Sequence, residues 1–507
     1  MTAPDFSILS AQAFENLNIE FQTSIADTAL RLAKKAGAEY ADIRIGRDQD
    51  ESAYAREDKL QHFNSRFSAG FGVRVLLEGA WGFAGSRIVS EAEVARATAQ
   101  AIENAKASRL LQIRPIELEN VPAYRDAWIM PVGVDPFRVP VEEKAAKLLS
   151  INAAALKAGA DYCSSQLWIV REEKLFASTC GSLIHQSRMR IWPEFTVTAI
   201  DKQTGRFATR ESLCPPRAAG WEYVDAYDGE AEAALAAEQA REKLSAKSVQ
   251  PGVYDVVIDP ANLFLTIHES VGHSTELDRA LGWEADFAGT SFVVPEMLDG
   301  LQFGSPLMTV MADRSQEGGL STVGYDDDGV PSAEAEFPIV EKGIFRNYQM
   351  ALGQAHLIGR QRSNGCAYAD SPTAFPIQRM PNISLQPGAE DVTLSDLIAG
   401  VDEGIFISGA GSWSIDQQRD NFQFGGQIFW EIKNGALGPM LRDVAYQART
   451  VPFWNSLDGI GGASTYELHG AFTCGKAQPT QIAPVGHGAV PARFRNVAIL
   501  NTERKDI

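Results

Sequence analysis

A chain of 507 residues is too long for one core of ordinary size, so two to four structural units are expected. Hydrophobic residues make up 45% and charged residues 22%, as in ordinary globular proteins, and no run approaches the ~18 apolar residues of a membrane span. The net charge of −19 repels a phosphate backbone and no basic stripe reverses it, so neither nucleic acid nor membrane is an expected partner. The opening MTAPDFSILSAQAFENLNIEF has no basic leader before an apolar run, which points to the cytoplasm. Five cysteines (Cys163, Cys180, Cys214, Cys366, Cys474) are odd in number, scattered and without a C-x-x-C pair, as expected of reduced thiols.

In chain order, residues 1–23 read as an N-terminal extension. SIADTALRLAKKA (24–36) places alanines and Leu30 at helical spacing before Gly37. ADIRIGRDQDESAYARE and HFNSRFSAGFGVRVLLEGAWGFAGS follow as strands, with a hairpin turn at EGAW, and EAEVARATAQAIENAKAS closes an α-β-β-β-α block near residue 108. After a proline-punctuated connector (114–140), VEEKAAKLLSINAAALKAG predicts a second helix, RIWPEFTVTAIDKQTGRFATRES a hairpin turning at Lys202–Gly205, and GEAEAALAAEQAREKLSAKS an alanine-rich helix. VQPGVYDVVIDP offers a turn and a buried strand, which places a boundary near residue 250. The expected fold class is α+β: a mixed N-terminal domain over 24–249 and a β-rich domain over 250–507 that carries one convincing helix, from Asn262 to about Arg279.

That helix contains HESVGH (268–273). A zinc peptidase helix usually reads H-E-x-x-H, with both histidines on one face and the glutamate as general base. Here the spacing is five, which on an ideal helix turns the second histidine by roughly 140°. A locally widened turn would bring His268 and His273 together, and Gly272 is the expected place for it. Spacing alone balances a metal site against two satisfied histidines in a core helix.

A catalytic zinc needs three protein ligands and an open position. Glu276, Asp278, His469, His487 and Cys474 are the candidates for the third, and the spacing does not choose among them. Cys474 lies in HGAFTCGKAQPT between Gly470 and Gly475, where a tight loop could aim its thiolate; an inert buried cysteine is the commoner outcome. GAFTCGK also fits a phosphate-loop pattern, but Ala477 replaces the Ser or Thr that magnesium requires, which excludes that reading. YDDDGVPS (325–332) has consecutive acids where a calcium loop alternates them, and reads as a turn.

HESVGH, AGTSF (288–292), YDDDGVP, QRMPNISLQPG (378–388) and the late CGK (474–476) with a PVG turn occur in the order found in the TldD/PmbA metallopeptidases, also called modulators of DNA gyrase. The stretch GFGVRVLLEGAWGFAGS is similar to the opening domain of that family. The resemblance implies one zinc ion per chain held by His268, His273 and Cys474, with Glu269 as catalytic base. It also implies cleavage of unfolded peptides or leader segments, and a dimer formed with itself or with a related subunit that lacks the motif. STELDRALGWEADF (274–287) is longer than typical of bacterial members. The oxyanion stabiliser stays open among Arg379, His469 and His487. The alternative is a metal-free peptide-binding or regulatory subunit with HESVGH as a core helix, a reading that loss of a histidine, Glu269 or Cys474 would favour and that their presence weakens.

Overall fold

The computed structural model describes residues 18–503. Helix α1 (Ile19–Lys35) begins earlier than expected because the Asn18 side chain accepts the Phe21 N–H at 2.8 Å and caps it. Residues 1–17 of the expected extension lie outside the described residues, and 19–23 form the first turns of α1. Strands β1 (Tyr40–Arg56), β2 (Lys59–Leu77) and β3 (Ala80–Ser86) follow as a meander, then α2 (Glu91–Arg109). After the connector, which contributes the short edge strand β4 (Arg125–Ile129), come α3 (Val141–Lys157), β5 (Tyr162–Ser178), β6 (Leu183–Ile200), β7 (Phe207–Glu211) and α4 (Gly229–Ser245).

These strands form one sheet in the order β3-β2-β1-β5-β6-β4, with β7 also on β6. Alternation decides what each face meets. Ile43, Ile45, Val73, Val75, Leu175 and Ala177 pack with α1 and α2 in one apolar cluster, while Phe195, Val197 and Ala199 pack with α3 and α4 in another. The residues between them are charged and buried, Asp42, Arg44, Arg74, Glu172, Arg188 and Arg190 among them, and this face meets the C-terminal half. Gly72 is needed there, since a Cβ on it would lie 2.7 Å from the Pro372 carbonyl oxygen.

The second half opens with β8 (Gly252–Ile258) and α5 (Pro260–Thr266). A small sheet contains β9 (Val310–Asp313), β10 (Phe337–Glu341) and β11 (Asn382–Leu385), with β9 in the middle. The long strands β12 (Glu403–Ile415), β13 (Asn421–Lys433), β14 (Ala436–Arg442) and β15 (Val444–Arg449) lead to β16 (Leu457–Ile460), the hairpin β17 (Glu467–Lys476) with β18 (Gln481–Ala489), and finally β19 (Ala492–Asn501). Because β12 pairs with both β8 and β13, the strands β12, β8, β19, β15 and β13 run in a closed circuit, parallel only between β8 and β12. Leu263, Ile267 and Val271, four apart, drive the α5 segment into the largest core with Tyr446, Trp454, Val485 and Phe494. The class is α+β with a β-rich second half.

Candidate metal centre

Asp259 starts the helix by accepting the Asn262 N–H at 2.9 Å, and Pro260 occupies the first helical position, where no N–H is required. The expected single helix is then divided. Regular α geometry ends at Thr266, residues Ile267–Gly272 form a π-turn, His273–Thr275 a 3₁₀ turn, and Leu277–Ala280 a last short helix. The His273 N–H bonds to the His268 carbonyl, five residues back, so the bond that defines the wide turn joins the two histidines themselves. Their rings meet edge to face with centroids 4.6 Å apart. Gly272 lies inside this turn, but with φ −56 it uses no special backbone freedom. It is there because a Cβ would lie 2.7 Å from the Met380 sulfur.

The wide turn is held from outside. Gln349 Nε2 donates to the Gly272 carbonyl at 2.6 Å and to Thr275 Oγ1 at 3.0 Å, while Trp454 Nε1 donates to Ser270 Oγ at 2.9 Å. AGTSF serves the same end: Ser291 Oγ donates to the Ser274 carbonyl at 2.5 Å.

Cys474 comes to the histidines from β17. It stands in a strand, where a tight loop was expected, and the register against β18 slips between Ala471 and Cys474. Arg379 Nη2 donates to the Cys474 carbonyl at 2.5 Å and fixes that bulge. Pro484–Gly486, expected as a turn, is likewise inside strand β18. The ligand atoms of His268, His273 and Cys474 all lie within 4.8 Å of one another, and all three residues are buried. Glu269 is close enough to act electrostatically on both His268 and Cys474.

The hydrogen bonds settle the ring tautomers. His487 Nδ1 lies 3.0 Å from the Ile383 carbonyl, which only accepts, so that nitrogen carries the proton and His487 Nε2 is an acceptor. His268 Nδ1, 2.7 Å from His487 Nε2, must then donate, leaving the lone pair of His268 Nε2 free. His273 Nδ1 donates to Glu276 Oε2 at 3.0 Å, and its Nε2 faces Cys474 Sγ at 3.6 Å. Burial pushes the Glu276 carboxyl up, but Lys476 and Arg279 outweigh it and hold it well below the usual carboxylate range. Burial pulls His268 down, and burial with Arg279 pulls His273 further, so both rings are neutral; burial also raises the Cys474 thiol. Two neutral imidazoles with outward lone pairs and one thiol form a donor set suited to a transition metal.

The other candidates have different positions. His487 and Glu276 stand behind the two histidines, each on an Nδ1. Asp278 Oδ1 accepts from Lys476 Nζ at 2.8 Å, His469 stacks on Phe264 and bonds to Glu467 at 3.0 Å, and Arg379 is engaged with carbonyls of the hairpin. The sequence reading missed Arg419, whose Nη1 lies 2.8 Å from Glu269 Oε2. It sits in DQQRD at the β12–β13 turn, which in sequence looks like any polar turn.

Fold and site together define an α+β protein with a buried cluster of metal-ligating side chains. Residues 41–105, 134–247 and 251–494 match, in turn, PmbA/TldA metallopeptidase domain 1, the central domain and the C-terminal domain, and the chain belongs to the PmbA/TldD family of metallopeptidases. A metalloprotease of Methanocaldococcus jannaschii is 28% identical over 456 residues, 89% of this chain and 94% of the relative. A protein of Saccharolobus solfataricus named zinc metalloprotease TldD homolog is 26% identical over 245 residues, 48% of this chain and 51% of the relative. The crystal structure of TldE from Thermococcus kodakarensis shares the fold, with a TM-score of 0.73 at 15% identity over 94% of this chain and 100% of that one.

Proposed function

We propose that this chain is a zinc-dependent peptidase acting on unfolded peptides or leader segments. The observation that carries the reading is the convergence of two free imidazole lone pairs and a thiol within 4.8 Å, beside the Glu269 carboxylate. The zinc named for the Saccharolobus relative supports the choice of metal. His268, His273 and Cys474 would hold the ion, which when bound supplies a water of pKa lowered to ~7 and polarisation of the scissile carbonyl. Glu269 takes the proton of the attacking water and passes it to the leaving amine nitrogen. The Cys474 thiolate offsets part of the cation's charge, so the reaction leans on good positioning of the peptide.

In this reading the peptide lies in a cleft of about 850 Å³ whose wall runs along the chain to Phe472 and Thr473, next to Cys474. Trp192 and Leu213 line it from the N-terminal half, and Phe264, Trp413, His469 and Phe472 from the C-terminal half. Strand β17 pairs with β18 on one side and with no other strand among the described residues. An extended peptide added at its unpaired edge, alongside the carbonyls that Arg217 and Arg379 already hold, would be held by main-chain bonds without strict sequence choice, on the strand that carries Cys474. The proposal includes a dimer, with an identical copy or a related subunit lacking the motif. Leu110, Leu111 and Ile113, 85%, 86% and 96% exposed, form an apolar patch that a partner would cover. It places the protein in the cytoplasm, which suits five cysteines that form no disulfide.

The test is metal content per chain by mass spectrometry on untagged protein, with cleavage of unfolded peptides measured alongside. Wild type should carry about one zinc and cleave, Cys474→Ser should lose most of the metal, and Glu269→Gln should keep it while losing about 10²–10⁴ in rate. Metal-free wild type, carefully handled, would overturn the reading in favour of a binding or regulatory subunit.

A further inference from the structure

We infer that Arg419 is a positioning residue that holds the Glu269 carboxylate in its working place. The inference rests on the assignment of Glu269 as general base. Arg419 Nη1 donates to Glu269 Oε2 at 2.8 Å, and Nη2 donates to the Ala288 carbonyl at 3.1 Å. The guanidinium is therefore fixed at two points, one of them the backbone of AGTSF, and a carboxylate bonded to so fixed a fork loses most of its rotamer freedom. Both partners are largely buried, with side-chain exposures of 13% and 4%.

The backbone points the same way. Arg419 has φ +66, a left-handed conformation in which glycine is the usual residue. A turn needing only that shape would be better served by glycine, and arginine at a strained position is a reason to look at its side chain. The turn around it is heavily braced. Asp416 accepts the backbone N–H groups of Asp420 at 2.9 Å and Asn421 at 3.1 Å, Thr450 Oγ1 donates to the Arg419 carbonyl at 2.8 Å, and Arg449 pairs with Asp420 at 2.8 Å. The N–H groups of Thr290 and Phe292 then bond to the Gln417 and Gln418 carbonyls, both at 2.8 Å, tying the hairpin tip to the segment that follows the metal helix. These bonds fix the tip to the same body as Glu269, so the distance between arginine and carboxylate is set by rigid parts.

The experiment compares wild type, Arg419→Gly, Arg419→Lys and Glu269→Gln with the double variant Glu269→Gln/Arg419→Gly. Arg419→Gly removes the guanidinium and leaves the Glu269 carboxylate without its partner, a cost that the relieved backbone offsets in part, so it should stay folded and hold the same zinc, yet lose about 10²-fold in kcat with little change in KM. Arg419→Lys should recover part of the loss, and in the Glu269→Gln background Arg419→Gly should cost nothing further. A crystal structure of Arg419→Gly should show the Glu269 carboxylate displaced or spread over rotamers. Wild-type kcat in Arg419→Gly, additive losses in the double variant, or a Glu269 carboxylate that stays in place would each overturn the inference. If zinc-loaded wild type cleaves nothing, the peptidase reading fails by itself and the position of the carboxylate still decides whether Arg419 sets it.

Discussion

His487 and Glu276 hold their histidines by Nδ1, the nitrogen that leaves Nε2 available for a metal. A sequence presents both as ligands, since a histidine and a carboxylate near HESVGH have the right chemistry. The structure shows why they are more useful one step back: each accepts the hydrogen bond of a neighbour's Nδ1–H, fixes the ring tautomer and leaves the Nε2 lone pair available on the side of the cluster. Partners of this kind typically contribute 10- to 100-fold in metal affinity. His487→Leu keeps the site apolar and filled but leaves the His268 Nδ1–H without an acceptor. Zinc affinity, measured by competition with a chromophoric chelator, should fall by about 10–100-fold while the far-UV spectrum stays that of wild type. An unchanged affinity would mean that the His268–His487 contact of 2.7 Å does not orient the ligand. At this scale HESVGH presents His268, Glu269 and His273 by a short motif, Cys474 is singled out only through the family resemblance, and the structure brings the two histidines and the cysteine together. Arg419 was not legible, because its partner lies 150 residues away and a polar turn gives no sign of the direction in which it points.

The elements repeat this division between local and distant causes. Helical spacing and strand alternation are local, so the α-β-β-β-α block and the 190–212 hairpin could be read directly, and the five-residue histidine spacing with Gly272 located the wide turn. The reason for that glycine could not be read, since Met380 comes from elsewhere in the chain. Nor could the bulge before Cys474, which depends on the pairing partner as well as on the strand. QRMPNISLQPG, which the sequence offers only as one stretch of the family order, is scaffold: Gln378 accepts from Lys476, Arg379 holds the Cys474 carbonyl, Met380 packs on Gly272 and the Ile383 carbonyl orients His487. Gly272→Ala pushes a methyl group against the Met380 sulfur and should destabilise the fold by about 1–3 kcal/mol. Met380→Ala in the same chain makes room, so the double variant should be more stable than the two separate costs predict. Chemical denaturation of the four proteins measures the coupling, and simple additivity would show that Gly272 answers to something other than Met380.

For the whole molecule, the join between the N-terminal sheet and the C-terminal half was the least legible part, because charged residues in alternating strands read as a solvated face. They are instead the contact: Glu172 accepts from Arg188 Nε at 2.6 Å, Arg190 Nη2 at 2.9 Å and the Tyr368 hydroxyl at 2.6 Å, and Asp327 pairs with Lys174 at 3.0 Å. YDDDGVP is a turn, as read, but its acids face inward, with Asp328 on Arg74 at 2.7 Å. Burial raises Glu172, and Arg188 and Arg190 outweigh it and hold the carboxyl well below its ordinary value; Lys174 and Arg44 do the same for Asp327 against burial. A carboxyl depressed in the folded state stabilises that state at pH above its unfolded pKa, ~4–4.5, and this contribution drains away as pH falls through the folded value. The melting temperature should therefore decline from pH 5 downward, and limited proteolysis should begin to cut between the halves. Glu172→Gln removes one of the titrating groups and strands two buried arginines, a cost of about 3–5 kcal/mol at pH 7. Its melting temperature should start lower at neutral pH and fall less steeply toward pH 3, because the arginines have already lost their partner. A variant that keeps both the wild-type stability and the wild-type acid slope would show that the halves are held by their apolar contacts, with the buried ion pairs setting only how the two faces align.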